Sequence, residues 1–244
     1  MDKTPIKEIA IIMPIEAGKT DAWIQTHKEL MGPRYEGYAV SKQRFGIESQ
    51  VSFLQKTPMG DFEVLYMKGS DIKEVFKNIA TSKDEGSVNW KKLAGDLHGV
   101  DFTQKQSSAA YPDSKLVFSM GGENLQNTQP FMFAIPVSSD RVAGLNNIST
   151  ALTDGRRAEY VIARENIGLK REMVFLQSGS AGQFLIFYWL AEDPKSSLTK
   201  FMSSTDPFDV WLRSEIDGLS PLGLKQLVDI FENNSLHVHY PRIK

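Results

Sequence analysis

The sequence predicts an α+β protein made of two tandem copies of one structural unit, and three observations support this prediction. Residues of the first half recur in the second half at a constant separation. Each half also shows the same order of apolar runs, helical spacings and turn signals. Finally, 41% of the 244 residues are hydrophobic, which provides enough apolar side chains for a substantial core.

The repeat emerges when the chain is compared with itself at an offset of 122 positions. Gly46, Phe53, Leu54, Gln55, Gly60, Phe62, Tyr66 and Asp71 recur as Gly168, Phe175, Leu176, Gln177, Gly182, Phe184, Tyr188 and Asp193. Identity at a fixed period indicates a duplicated unit. It predicts a first repeat over 8–102, a linker over 103–129, a second repeat over 130–224 and a C-terminal extension over 225–244. The linker is rich in Gln, Ser, Gly and Asn, with one short strand expected at 115–118.

Each repeat begins with a short apolar strand, at 9–15 and at 131–137, which stops near a proline. Apolar residues at helical spacing then predict an amphipathic helix, at 17–30 in the first copy. A second helix is expected before Gly46 and before Gly168, because glycine followed by an apolar residue is a common helix stop.

Alternating segments then predict a β-hairpin in each repeat, with strands at 50–55, 62–67, 172–177 and 184–189. More helices follow, with N-cap residues at Asp71, Asp193 and Asp206. The resulting β-α-α-β-β-α-α unit is of the ferredoxin-like kind. We therefore expect two tandem ferredoxin-like repeats that pack sheet to sheet as a fused dimeric α/β barrel. In the extension we expect a helix at 222–231 and an edge or exchanged strand at 236–240.

The repeated pattern resembles an uncharacterised bacterial family of small ferredoxin-like proteins that form dimeric α/β barrels. The shared features are Gly-[Ile/Leu] followed after five residues by Phe-Leu-Gln, then Gly-x-Phe, a Tyr and an Asp-led helix. In that family an Arg-Glu pair precedes the Leu-Gln strand, as Arg171-Glu172 does here, and a segment like His98-Gly99-Val100-Asp101 ends the unit. The first repeat has Ser49-Gln50 instead, and the second lacks the histidine ending. The resemblance implies a fold and no specific activity.

Candidate ligand-binding residues lie on one face of each hairpin. A four-residue turn would place Gln55 opposite Phe62 and Val51 opposite Tyr66, so that these side chains share a face. The second copy presents Gln177 and Tyr188 in the same way. An apolar cleft with a few polar groups is typical of small-molecule sites. The alternative is structural, with glutamines at strand ends and tyrosine rings in the core.

Cations on the helix before each glycine stop form a second candidate group. The helix carries Arg34, Tyr38 and Lys42 in the first repeat and Arg156, Arg157, Tyr160 and Arg164 in the second. Cations three or four residues apart on one helical face could hold a carboxylate or phosphate. The alternative is a solvated helix face. Arg171 and Glu172 are catalytic candidates, with Glu172 as a general base. The alternative is that they form a surface ion pair.

Composition excludes several classes of function. The net charge of −2 gives no excess of cations for nucleic acid or an anionic membrane. Without cysteine there is no disulfide, thiolate nucleophile or Cys-ligated metal. The four histidines are poorly placed for a metal site, so we expect no metal and no cofactor. His27 lies beside the apolar face of its helix and is expected to be a surface or boundary residue. Without a signal peptide or an apolar span, the chain is expected to be cytoplasmic. It is expected to be a monomer with an internal pseudo-dimer, or a homodimer.

These observations favour a protein that binds a small hydrophobic or aromatic molecule in a cleft between or beside the repeats, with cofactor-free enzyme activity as an extension. The alternative is a non-catalytic structural or protein-interaction module. A third alternative is a haem enzyme of the chlorite-dismutase-like type, which also fuses two ferredoxin-like units.

Overall fold

The computed structural model describes residues 5–100, 113–122, 125–179 and 182–241. The chain forms two compact units. Unit 1 comprises Met1–Asp113 and Ser235–Lys244, and unit 2 comprises Ser114–Asn234. Unit 1 is thus discontinuous in sequence, whereas unit 2 is a single segment.

The elements follow the predicted order in both repeats. In chain order they are β1 (Glu8–Pro14), α1 (Thr20–Met31), α2 (Tyr35–Arg44), β2 (Ile47–Thr57), β3 (Gly60–Gly69), α3 (Ile72–Thr81), α4 (Glu85–His98), β4 (Asp113–Gly121), β5 (Gln129–Val137), α5 (Val142–Thr150), α6 (Arg157–Asn166), β6 (Leu169–Gly179), β7 (Gly182–Ala191), α7 (Pro194–Ser203), α8 (Pro207–Leu219), α9 (Leu224–Glu232) and β8 (Ser235–Tyr240). A short 3₁₀ turn precedes α5, and a π turn follows it.

Each unit contains one four-stranded sheet, with the order β1-β3-β2-β8 in unit 1 and β4-β6-β7-β5 in unit 2. In unit 1, β3 is antiparallel to both β1 and β2. The strands β1 and β2 are therefore parallel and separated by β3, which is the split arrangement of the ferredoxin-like fold. The predicted α+β class with two tandem ferredoxin-like units is confirmed.

The fourth strand of each sheet comes from outside the three-stranded repeat that it joins. The strand β8 lies antiparallel to β2 at the edge of the unit 1 sheet, which confirms the edge strand expected in the C-terminal extension. The strand β4 lies beside β6 in unit 2 and falls within the segment predicted as a linker. Residues 103–112 and 123–124 of that segment lie outside the described residues, as does Asp101.

Helix termini follow the predicted signals. Asp71, Asp193 and Asp206 each accept a backbone N–H bond as the N-cap of the helix that follows. Gly46 and Gly168 lie two residues beyond the last residues of α2 and α6, with φ of +77° and +89°, a left-handed conformation that stops a helix. The bounds of α2 and α6, and of β2 and β6, differ by 122 residues throughout.

The hairpin register is also as predicted, with Gln55 opposite Phe62 and Val51 opposite Tyr66. Strand alternation then divides each sheet into two faces. One face, here called the helix face, carries Leu65 and Met67 in unit 1, and both pack in a core cluster with residues of α2 and α3. Among the described residues, no helix is long and apolar enough to cross a bilayer.

Candidate functional site

An apolar crevice of about 30 Å³ lies within unit 2, between the helix face of its sheet and the helices. The strands line it with Val174, Leu185 and Phe187, which alternate inward on β6 and β7. The helices contribute Leu198 and Phe201, with further apolar residues from α5, α8 and α9. Two ionisable residues, Arg164 and Glu172, interrupt this apolar lining.

Glu172 is held in place by two buried donors. The Trp189 Nε1–H donates to its Oε1 at 2.7 Å, and the Tyr160 hydroxyl donates to its Oε2 at 2.7 Å. Only 2% of Glu172 is exposed. Burial and the adjacent Glu172 carboxylate raise the pKa of Tyr160 well above its ordinary value, so the tyrosine stays a hydroxyl donor.

Arg164 lies on α6 and is 1% exposed. One of its terminal nitrogens, Nη2, pairs with Asp209 of α8, and its guanidinium lies over the Phe201 ring, 4.5 Å from the centroid. Its Nε–H is buried and has no hydrogen-bond acceptor among the described residues. A buried unsatisfied donor is costly, so this N–H is a natural anchor for a ligand acceptor.

The structure separates the predicted site residues. Tyr160, Arg164 and Glu172 come together at the crevice. By strand alternation, Gln177 and Tyr188 lie on the face opposite Val174 and Phe187, away from it. Their predicted ligand-binding role stays a prediction, as does that of Gln55 and Tyr66 in unit 1. The Tyr66 hydroxyl donates to Glu8 at 2.7 Å, and Arg171 does not line the crevice.

The prediction of a solvated face on these helices is wrong for four of the candidate residues. Tyr38, Lys42, Tyr160 and Arg164 are all at least nine-tenths buried, because this side of α2 and α6 faces the sheet. It is right for Arg34, whose pairing with Glu29 is largely solvent-exposed.

Unit 1 contains a buried cluster that the sequence interpretation missed, centred on Glu63 of β3. The carboxylate accepts a hydrogen bond from Trp23 Nε1 at 2.9 Å, and His98 Nε2 lies 3.1 Å from its Oε2. His27 Nε2 lies 3.6 Å from Oε1. The prediction of His27 as a surface or boundary residue is wrong, because His27 is 7% exposed and stacks on Trp23.

The carboxylate and the histidines of this cluster each favour the charged form of the other. Burial alone would raise the pKa of Glu63, but the two histidines hold it well below its ordinary value. Burial would likewise lower the pKa of His98, but Glu63 raises it. The Nδ1 atom of His98 lies 2.8 Å from the Pro14 carbonyl, which can only accept, so both ring nitrogens act as donors.

The haem hypothesis gains no support from these residues. The two buried histidines direct their Nε2 atoms to Glu63. Within the described ranges, no group of three or more His, Asp or Glu side chains is arranged to hold a metal ion.

No protein-family model and no curated protein matches the chain. Among solved structures, a candidate monooxygenase from Fusobacterium nucleatum is 14% identical over 97% of this chain and 91% of its own, with a TM-score of 0.43. An anthrone oxidase-like protein is 9% identical over 96% and 90%, with a TM-score of 0.48. A candidate monooxygenase from Lactobacillus acidophilus is 10% identical over 96% of both chains, with a TM-score of 0.38. Similarity at this level carries no argument about chemistry.

Proposed function

We propose that unit 2 binds a small apolar or aromatic molecule in its crevice, with an oxygen acceptor of the ligand facing Arg164. The observation that carries the proposal is the buried Arg164 Nε–H, which has no acceptor in the part of the chain that the structure describes. It belongs to a side chain that lines an otherwise apolar space. An apolar enclosure with one or two oriented polar groups is typical of small-molecule sites.

The crevice is small, so a ligand can bind only if the crevice widens. Its volume of about 30 Å³ holds one or two water-sized groups, well below the size of an aromatic ring. Met202, Ile216 and Leu224 line the crevice and are only half-buried. We propose that these side chains form its mouth and move outward when a ligand enters, which flexible apolar side chains such as Met do readily.

Glu172 is the group of the crevice wall that could take a proton from a ligand. Its two oxygens accept one hydrogen bond each, and an ionised carboxylate has further lone pairs. We propose Glu172 as the base of any cofactor-free reaction at this site. Turnover that persists in Glu172→Gln would contradict that role without affecting the binding proposal.

Two probes of similar shape test the binding proposal. We expect acetophenone, which carries a carbonyl acceptor, to bind at least about tenfold more tightly than ethylbenzene, because a hydrogen bond from a charged donor is worth about 1.5–3 kcal/mol. In Arg164→Lys the charge facing Asp209 remains but Nε–H is lost, so the preference should disappear. Isothermal titration calorimetry measures both affinities.

Arg213→Lys is the matched control. Arg213 also lies against Phe201, at 5.7 Å, but it donates to backbone carbonyls and does not line the crevice. It should keep the wild-type preference, whereas Leu224→Trp at the mouth should weaken the binding of both probes. Equal affinity for the two probes in the wild type, or no binding of either, overturns the proposal.

A further inference from the structure

The interior of unit 1 contains four buried polar side chains, and three of them have a buried polar atom without a hydrogen-bond partner among the described residues. Tyr38 and Lys42 lie one helical turn apart on α2 and face the sheet. Gln50 and Ser52 lie two residues apart on β2, on the helix face that α2 covers. They occupy the positions that correspond to Tyr160, Arg164, Glu172 and Val174 at the crevice of unit 2.

Lys42 is the most unusual of the four. It is 8% exposed, and its Nζ lies 4.7 Å from the centroid of the Tyr38 ring. Among the described residues, this ammonium group has neither a hydrogen bond nor an ion pair. Burial lowers the pKa of Lys42 to about 8, an effect that Glu63 opposes from beyond ion-pair distance. A buried cation without an ion-pair partner is costly to keep.

The neighbouring polar atoms also lack partners. Within the described ranges, the Tyr38 hydroxyl, the Gln50 Oε1 and the Ser52 hydroxyl are buried and make no hydrogen bond. Tyr240 of β8 lies beside two of them. It is the strand partner of Gln50, and its ring centroid lies 5.9 Å from that of Tyr38. Such groups are expected to have a partner, whether ligand, ion or water.

Unit 2 shows what would satisfy the donors of this set. There the equivalent tyrosine donates to Glu172, and the equivalent cation pairs with Asp209. The positions 122 residues earlier are Gln50 and Ser87, which are both uncharged. The first repeat has kept the tyrosine and the cation but has neither carboxylate.

We propose that unit 1 binds a small oxyanion of carboxylate size at Lys42, with the hydroxyls of Tyr38 and Ser52 as further donors. The anion supplies the negative charge that Glu172 and Asp209 supply in unit 2. Three donors around one oxyanion form charge-assisted hydrogen bonds, which are stronger than neutral ones. The site lies in the other unit from the crevice, so neither proposal depends on the other.

Acetate is the probe, titrated against sodium chloride at matched ionic strength and pH 7. We expect acetate to raise the melting temperature of the wild-type chain and to bind saturably by calorimetry, because a ligand of the folded state stabilises it. Lys42→Met keeps the length of the side chain but removes the charge, and should weaken acetate binding at least about tenfold. Tyr38→Phe should weaken it less.

Gln50→Glu is the decisive variant, because it places a carboxylate where unit 2 has Glu172. We expect it to melt at a higher temperature than the wild type without acetate, and to respond to acetate no longer. Lys73→Met, at an exposed position of α3, is the matched control and should respond like the wild type. The Gln50→Glu result remains informative even if Lys42→Met does not fold.

The proposal is overturned if acetate affects the wild type and Lys42→Met equally, or if the wild type shows no saturable binding. An acetate response in Gln50→Glu that matches the wild type overturns it as well.

Discussion

At the scale of single residues, Glu63 distinguishes the interior of unit 1 from that of unit 2. The second repeat has Leu185 at the corresponding position, where it lines the apolar crevice. In unit 1 the carboxylate instead gathers Trp23, His27 and His98 around it. A buried carboxylate with these partners creates a local dependence of stability on pH.

We expect the free energy of unfolding of unit 1 to be greatest between about pH 5 and pH 6.5. The folded-state pKa of His98 is raised, so its contribution is complete below the ordinary histidine value and is lost as the pH rises through the folded-state pKa. The folded-state pKa of Glu63 is lowered, so its contribution is present above the ordinary value and is lost as the pH falls through the folded-state pKa. Glu16 and Lys42 also act on these groups.

Glu63→Gln tests this expectation. At pH 6 it should lower the free energy of unfolding by about 3 kcal/mol, because it leaves a buried imidazolium without its counter-charge. It should also flatten the decline above pH 6.5. Urea denaturation across pH measures both effects. Glu74→Gln, which breaks a surface pair with Lys77, should change stability by less than about 1 kcal/mol. A decline above pH 6.5 as steep in Glu63→Gln as in the wild type contradicts the assignment to His98.

The sequence could identify the polar residue types but not their partners. Tyr160, Arg164 and Glu172 were candidates because their spacing and charge suggested a site, and all three meet at the crevice. No local pattern points to Glu63, because its contacts come from α1 and α4, about 40 residues away in the chain. Local patterns carry no information about such distant contacts.

At the scale of elements, the glycine stop of α2 is a feature that the sequence predicts well. Gly46 has φ of +77°, and a Cβ added there would approach Ser70 Oγ to 3.2 Å. We expect Gly46→Ala to destabilise the protein by about 1–2 kcal/mol, because non-glycine residues rarely adopt this conformation. Thermal or urea unfolding measures the loss.

Gly37→Ala, within α2, is the control and should change the free energy of unfolding in the opposite direction. A Cβ at Gly37 meets nothing within 4 Å, and alanine should stabilise a helix interior by about 0.5–1 kcal/mol. If both variants shift stability in the same direction, the interpretation of the glycine stop is wrong.

Element types were predictable because they depend on local periodicity, and the repeat allowed each assignment to be checked twice. The face that holds the cavity was not predictable. Residues that are identical in the two copies, such as Gln177 and Tyr188, predict a binding site on one face of the sheet. The crevice of unit 2 lies on the opposite face. Retention between copies reflects any shared constraint, and packing is one such constraint.

At the scale of the whole molecule, the two units differ in how the chain forms them. Unit 2 is one segment, Ser114–Asn234, whereas unit 1 needs the C-terminal Ser235–Lys244. Within that tail, β8 places Val238 and Tyr240, which are 1% and 6% exposed, in the core of unit 1. Burial of such side chains contributes about 1.5–3 kcal/mol each, a substantial part of the stability of a small domain.

We therefore expect a fragment covering residues 113–234 to fold alone and to unfold cooperatively in urea. A fragment covering residues 1–112 should fold only when residues 235–244 are joined to it by a flexible linker. The same fusion carrying Val238→Asp is the control, because a charge at this buried position should prevent the strand from packing. Circular dichroism and urea unfolding distinguish these fragments. Cooperative unfolding of the 1–112 fragment without its tail, with the same midpoint as the fusion, would show that β8 is dispensable for unit 1.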